Sequence, residues 1–426
     1  MIVALFSIMT LLLLLAIGVP MVAGLLIAVF INVVFAGQWP LMVPQTMISG
    51  ISTFTLISLP MFVLAGTIMN IGGISGRLFE FARSLVGWMR GGLPQVNVLT
   101  SIFFGGMIGS STADLAGSGS VLIPAMKREG YPADFSAAVS ASSSGIGPLI
   151  PPSSPLILYS AVTGTSLGAL FLAGLIPGLL LGLVFMAVVA ILARRHGWTS
   201  EKLFRWASVW ESGKRALLAF GMPGIIVGGL VLGVFTPSEG GAFAAVYAVF
   251  LSAFLYRTIN LRSLYRATAA SVQITGELLL IVALSVALGS ALSSAQVPQS
   301  TTPIIEFLAV GDSMYMRLVA LMILAIIAGM FLDPLIPVLV PIILPTLLAF
   351  EIDLVHFGVL MVMAVVIGQL TPPMAIAVII SAKIAKCDQV EVFKANMPFF
   401  VAIILFTLVL IGVPEIATWL PEIARD

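Results

Sequence analysis

Two stretches of this sequence combine hydroxyl groups with dense glycine and proline. The first runs Ser142-Ser143-Ser144-Gly145-Ile146-Gly147-Pro148-Leu149-Ile150-Pro151-Pro152-Ser153-Ser154-Pro155. The second is Gly368-Gln369-Leu370-Thr371-Pro372-Pro373-Met374. Proline removes a backbone donor and glycine permits unusual dihedrals, so a helix broken here frees carbonyls and amides. Carbonyls at the ends of half-helices suit a hard cation such as sodium, and half-helix N-termini suit an anion. Taken singly, either stretch reads better as a proline kink relieved by nearby hydroxyls. Two of them, each beside a polar tip, read as function.

Four acids lie in apolar surroundings, where an ionisable group is a functional hypothesis by default. Asp114 closes the run Ser110-Ser111-Thr112-Ala113-Asp114, and Asp333 precedes Pro334. Asp333 is the foremost candidate and Asp114 the next. Glu239, in Thr236-Pro237-Ser238-Glu239-Gly240-Gly241, reads equally as an acceptor of backbone bonds at a helix start. Glu277 reads as an interfacial or interhelical contact near the inner end of a helix. No Lys or Arg falls among these groups, so a carboxylate cargo has to be held by helix dipoles, hydroxyls and co-bound cations. Asp333 repels a carboxylate but can accept bonds from a polyol or amide. Coupling to a cation fits, since each charge crossing 100 mV supplies about 2.3 kcal/mol. A proton relay wants several facing acids or histidines, and His196 and His356 read as surface or helix-end residues.

Other chemistries fail on inspection. No Gly-rich sequence ends in Gly-Lys-Ser/Thr, so nucleotide binding of that kind is absent. Gly117-Ser118-Gly119 faintly resembles an intramembrane serine-protease site, but no histidine is placed to activate Ser118. Neither Asp114 nor Asp333 lies in a helix-borne Gly-x-Gly-Asp of an aspartyl protease. The single cysteine, Cys387, excludes internal disulfides and reads as a bystander near the inner face.

The elements that carry these groups follow from composition. The chain has 426 residues, 60% hydrophobic and 9% charged, with mean hydropathy +1.17. Soluble domains carry about 25% charge, so a cytosolic enzyme, a nucleic-acid binder and a disordered scaffold are excluded. Crossing a bilayer takes about 20 apolar residues. Candidate spans are 2–18, 20–36, 52–70, 167–193, 217–235, 238–256, 271–292 and 396–414. The interrupted stretches 133–162 and 357–382 read as broken helices. The first run lacks a basic flank and a cleavage site and reads as a retained helix. Val98–Gly109 and Leu115–Met126 flank the Ser110–Asp114 tip with arms too short to span, which predicts a re-entrant hairpin over 98–126. A second hairpin is predicted over 317–350 around Asp333-Pro334.

With the N-terminus outside, these spans place 17 of the 19 basic residues on the cytoplasmic side, leaving only Arg317 and Arg425 outside. That is the asymmetry of the positive-inside rule. Both termini are therefore predicted to face out. Trp39, Trp88, Trp198, Trp206, Trp210 and Trp419 fall near span ends, as interfacial aromatics do. Segments 76–90 and 198–212 read as amphipathic helices along the inner interface. Shifting the chain by 221 residues superposes Pro124 on Pro345, Gly147 on Gly368, Pro151-Pro152 on Pro372-Pro373 and Pro177 on Pro398. Each half holds five crossings, an odd number, so the halves are inverted, a transporter signature. The predicted fold is an all-α polytopic membrane protein: a first repeat at 1–193, a cytoplasmic linker at 194–216 and a second repeat at 217–426.

The stretches Gly109-Ser110-Ser111-Thr112-Ala113-Asp114, Leu122-Ile123-Pro124-Ala125-Met126, Ile150-Pro151-Pro152-Ser153, Thr236-Pro237-Ser238-Glu239 and Gly368–Pro373 resemble the large membrane subunit of tripartite ATP-independent periplasmic (TRAP) transporters. The resemblance covers essentially the whole chain and is nearest the sialic-acid branch. It implies an elevator-type secondary importer in the bacterial inner membrane, with no cofactor beyond co-transported sodium. Its implied partners are a small four-helix membrane subunit and a soluble periplasmic substrate-binding protein. Sodium is implied at Ser110, Ser111, Ser144, Gly145 and Gly147 in one half and at Gly329, Gly368, Thr371 and Met374 in the other. The substrate, N-acetylneuraminate first among small organic acids, is implied near Asp333, Thr112, Asp114, Ser153 and Ser154. The alternatives are a binding-protein-independent sodium/dicarboxylate symporter or antiporter and, remotely, an intramembrane hydrolase.

Overall fold

Apolar runs in this sequence form helices, and every regular element among the described residues is helical. The computed structural model describes residues 2–35, 40–199, 203–231, 233–295, 313–332 and 334–424. Asp333, Trp39 and Arg425 lie outside the described residues. The first half contains α1 (Ile2–Ala16), α2 (Met21–Phe35), α3 (Met42–Ile51), α4 (Ser58–Ile71) and α5 (Ile74–Val86). There follow α6 (Gly92–Ile108), the short α7 (Ser111–Asp114), α8 (Ser120–Arg128), α9 (Ala133–Ser144), α10 (Ser154–Thr163) and α11 (Leu167–Arg195). The second half contains α12 (Trp206–Val231), α13 (Pro237–Phe250), α14 (Leu261–Ser294), α15 (Met314–Gly329), α16 (Ile336–Ala349), α17 (Leu354–Leu370), α18 (Ile376–Ala385), α19 (Gln389–Gly412) and α20 (Glu415–Ile423).

Helix boundaries recur at the offset read from the prolines. α6 ends at Ile108 and α15 at Gly329, α8 ends at Arg128 and α16 at Ala349, and α9 begins at Ala133 and α17 at Leu354. Each of these pairs is separated by 221 residues. Pro151-Pro152 and Pro372-Pro373 both hold cis bonds. The two breaks differ in length. Ser144 is followed by Gly145, Gly147 and Pro148, and nine residues pass before α10. In the second half only Gly368 precedes the proline pair, so α17 continues to Leu370 and five residues separate it from α18.

Among the described residues, five helical stretches are long and apolar enough to cross a membrane: Phe54–Ile71, Leu167–Arg195, Pro237–Leu255, Leu261–Ser294 and Gln389–Gly412. They coincide with predicted spans. The spans expected at 2–18 and 20–36 emerge as helices of 15 residues each, about 22 Å long. The span expected at 217–235 is met by α12 only as far as Val231, and that helix starts at Trp206, passing through the linker boundary drawn at 216. Residues 203–205 are not helical, so the amphipathic helix expected over 198–212 is replaced by the first turns of α12. The other amphipathic prediction is met by α5, which buries Ile74, Leu78 and Ala82 at i, i+4 and i+8.

The helices pack into two groups. In the outer group α14 lies against α2, α3 and α4, α4 against α13, and α12 against α5 and α13. In the inner group α9 packs on α6, α18 and α19, α10 on α16, and α15 on α17. Helix α17 is apolar on all sides and every residue from Val355 to Gly368 is buried, as the centre of such a bundle requires. The groups meet where α4 and α14 face α6, α10 and α16, and where α5 and α12 pack on α6.

Candidate functional site

At the junction of the two groups lies a cavity of about 670 Å³, within the ~300–1,000 Å³ of small-molecule sites. Ser110, Ser111 and Thr112 of the first tip enter it, with Pro148, Ser154 and Pro155 of the first break. Pro334 comes from the segment between α15 and α16, and Gln369 from the end of α17. The outer group contributes Thr67 and Asn70 on α4 and Glu277 on α14.

Tip and break meet by backbone contact in each half. Gly109 has φ +59, and a Cβ on it would stand 1.8 Å from the Pro152 carbonyl oxygen. The Ser154 amide donates to the Gly109 carbonyl at 3.4 Å. One turn earlier, a Cβ on Gly105 would lie 3.1 Å from the Cα of Gly147. In the second half a Cβ on Gly368 would lie 2.4 Å from the Gly329 carbonyl oxygen. Only glycine admits such approaches. Of the residues expected to hold sodium, the structure thus joins Gly147 to the first tip and Gly329 to Gly368. Ser144 donates to the Ala141 carbonyl at 2.8 Å and Thr371 to the Ile367 carbonyl at 2.6 Å, so both hydroxyl protons are engaged within their own helices. Gly145 faces Val366 of α17. Met374 is half-buried beside the second break and outside the cavity wall.

Four of the residues expected near substrate are described, and they divide evenly. Thr112 and Ser154 line the cavity, and Ser110 accompanies Thr112 at 3.1 Å between hydroxyls. Ser153 does not line it. Its hydroxyl donates to the Pro148 carbonyl and accepts from the Leu156 amide, so it is the N-cap of α10. Asp114 does not line it either. It is turned to the opposite side of the hairpin, where Ser118 donates to Oδ1 at 2.6 Å. The reason is helical phase: Thr112 and Asp114 are two residues apart on α7, about 200° around its axis, so when one faces the cavity the other faces away.

Glu239 accepts from the Thr236 amide at 2.7 Å and its hydroxyl at 2.8 Å, a capping box at the start of α13. Glu277 is corrected in place: α14 begins at Leu261, so this residue sits mid-helix, on the cavity wall. Thr67, Asn70 and Gln369 were not singled out by sequence. Thr67 and Asn70, three apart on an otherwise apolar stretch of α4, carried a signal that would have found them. The Oε1 of Gln369 is buried without a partner beside the cavity. At the far end of α18, the ammonium of Lys127 donates to the Ala385 carbonyl. Burial, first, and the carboxylates of Asp134, Glu391 and Asp388 push the nearby Cys387 thiol above its ordinary range.

A helical membrane protein whose two packed groups enclose a largely apolar cavity set with a few hydroxyl, amide and carboxyl groups, with a helix break in each half, has the architecture of a transport protein. The model of the tripartite ATP-independent periplasmic transporter, DctM component, matches residues 8–416, and the chain belongs to that family. It is 35% identical over 381 residues to the sialic acid TRAP transporter large permease protein SiaM of Vibrio cholerae, covering 89% of each chain. It is 34% identical over 371 residues to the C4-dicarboxylate TRAP transporter large permease protein DctM of Pseudomonas aeruginosa, covering 87% of this chain and 86% of that one. The fold is similar to the crystal structure of the YdaH transporter of Alcanivorax borkumensis, with a TM-score of 0.60 at 15% identity over 88% of each chain. The relatives are transporter permeases rather than enzymes, and they set aside the intramembrane hydrolase. Large permeases of this family work with a small membrane subunit and a periplasmic binding protein.

Proposed function

We propose that the chain carries a small organic acid, N-acetylneuraminate in the first instance, across the inner membrane on a sodium gradient. The observation that carries this reading is the position of the cavity, on the boundary between the two helix groups and at the first tip and break. In an elevator the inner group, with both hairpins and both broken helices, slides along the outer one. A cavity bounded by both groups is then exposed to one side at a time. The outer-group lining residues Met21, Asn70 and Ile71 lie at helix ends assigned to the cytoplasm by the basic loops. In this reading the conformation is inward-facing, the hairpins are re-entrant, the halves are inverted and both termini are periplasmic. Sodium sits at the Gly105–Gly147 and Gly329–Gly368 contacts, and the substrate between them beside Thr112, Ser154 and Asp333. A small four-helix subunit widens the outer group, and a periplasmic binding protein delivers the cargo.

A C4-dicarboxylate is the second reading, favoured by the near-equal identity to the Pseudomonas relative. Uptake of labelled N-acetylneuraminate and succinate into proteoliposomes, with both partners and an inward sodium gradient, decides between them. Accumulation of the sugar acid that collapses with the gradient is expected. Uptake indifferent to sodium overturns the coupling, and accumulation without either partner overturns the tripartite assembly.

A further inference from the structure

On the side of the first hairpin turned away from the cavity, a carboxylate is enclosed with too few protons to satisfy it. Asp114 is 2% exposed. Ser118 donates to its Oδ1 at 2.6 Å, and Oδ2 has no partner. Ser101 of α6 lies within hydrogen-bonding reach of the same carboxylate. Its proton, however, goes to the hydroxyl of Ser143 on α9 at 3.1 Å. Ser143 cannot return a proton, because its own goes to the Ser140 carbonyl at 3.3 Å. The one proton of Ser101 can thus serve Asp114 or Ser143 but not both. The buried hydroxyl oxygens of Thr100 and Ser111 also lack partners.

Among the described residues, no charged side chain faces the group. Helix α6 contains no ionisable residue. Those of α8, α9 and α18 are Lys127, Arg128, Asp134 and Lys383, all in terminal turns, and none acts on Asp114. A lone carboxylate out of water is costly, and what this cluster lacks is a cation. Its donors are all oxygen, the set a hard ion takes. Among the described residues no three His, Cys, Asp or Glu side chains gather, so one carboxylate with neutral hydroxyls points to a single positive charge.

We propose that Asp114, Ser101 and Ser118 form a sodium site inside the first hairpin, distinct from the tip that faces the cavity. The site deepens the sodium-coupled reading above and rests on it. Carboxylate and sodium form a neutral unit that the moving group can carry through the membrane without an uncompensated charge.

Equilibrium binding of radiolabelled sodium to the purified full chain, without substrate, counts the ions. Asp114→Asn is expected to bind one ion fewer than the wild type, and Ser101→Ala the same number with the last several-fold weaker. Equal counts for wild type and Asp114→Asn overturn this site while leaving sodium coupling intact. A wild type that binds no sodium overturns both. An unchanged count with a flattened pH profile of uptake assigns a proton to Asp114 and overturns the sodium assignment. If Asp114→Asn does not elute as a single species, Asp114→Glu takes its place. It should keep the count and lose affinity, and unaltered affinity overturns the site.

Discussion

Gly109 and Gly164 both adopt left-handed backbone, at φ +59 and +72, yet their surroundings differ. A Cβ on Gly164 meets nothing within 4 Å, whereas on Gly109 it enters the Pro152 carbonyl. Gly164→Ala therefore meets only the dihedral penalty, roughly 1–2 kcal/mol. Gly109→Ala adds a collision with backbone that no rotamer relieves, so the tip or the break has to move. Gly109→Ala is expected to abolish proteoliposome uptake and to melt well below Gly164→Ala, which retains most activity. Matching behaviour of the two variants would sink the claim that the tip–break contact shapes the site. Asp114 and Ser153 carry a related lesson. Both were legible as polar residues next to a candidate site, and neither faces the cavity. Thr112 and Asp114 lie two residues apart on one short helix, about 200° around its axis, so the tip presents only one of them to the cavity, while Ser153 is taken up as the cap of α10. What the sequence left open was which of the two sides the cavity would occupy.

Among the elements, the broken helices were the most legible, because glycine and proline act on the backbone locally and leave their mark in the sequence itself. The 221-residue offset was legible for the same reason. Lengths were less so. Helix α14 extends ten residues before its predicted span, across Arg262 and Arg266, and α12 extends across Lys214 and Arg215. Charges lower local hydropathy without stopping a helix, so a hydropathy reading ends before the helix does. That error placed Glu277 near a helix end when it lies mid-helix on the cavity wall. The start of α13 was legible in part: Thr236 and Glu239 are three apart, and the capping box accounts for the acid without any ligand. Thr236→Ala should cost about 1 kcal/mol in stability and leave sodium-driven uptake close to wild type. Thermal unfolding and uptake on the same preparation check this. A large loss of uptake at unchanged stability would return this turn to the list of functional sites.

For the whole molecule, the division into two helix groups is the feature on which transport by relative motion depends, and the structure offers a place to arrest it. Gly106 on α6 belongs to the inner group and Pro223 on α12 to the outer. A Cβ on Gly106 would lie 3.3 Å from the Pro223 Cβ, close to the ~3.5–4.5 Å of a disulfide. With the natural cysteine removed as Cys387→Ser, the pair Gly106→Cys and Pro223→Cys is expected to cross-link under mild oxidation. Each single variant should retain uptake, which controls for loss of the proline from α12 and of the glycine from its contact. In the oxidised pair, α6 is tied to the outer group and the inner group can no longer slide. Uptake should fall to background and return with reductant, while sodium binding persists because a Cβ at Gly106 meets the Pro151 carbonyl only at 3.9 Å and the glycines of the tip–break contacts are kept. Full uptake by the cross-linked protein would mean that α6 and α12 stay together throughout the cycle. The moving boundary would then have to be redrawn with the first hairpin on the static side.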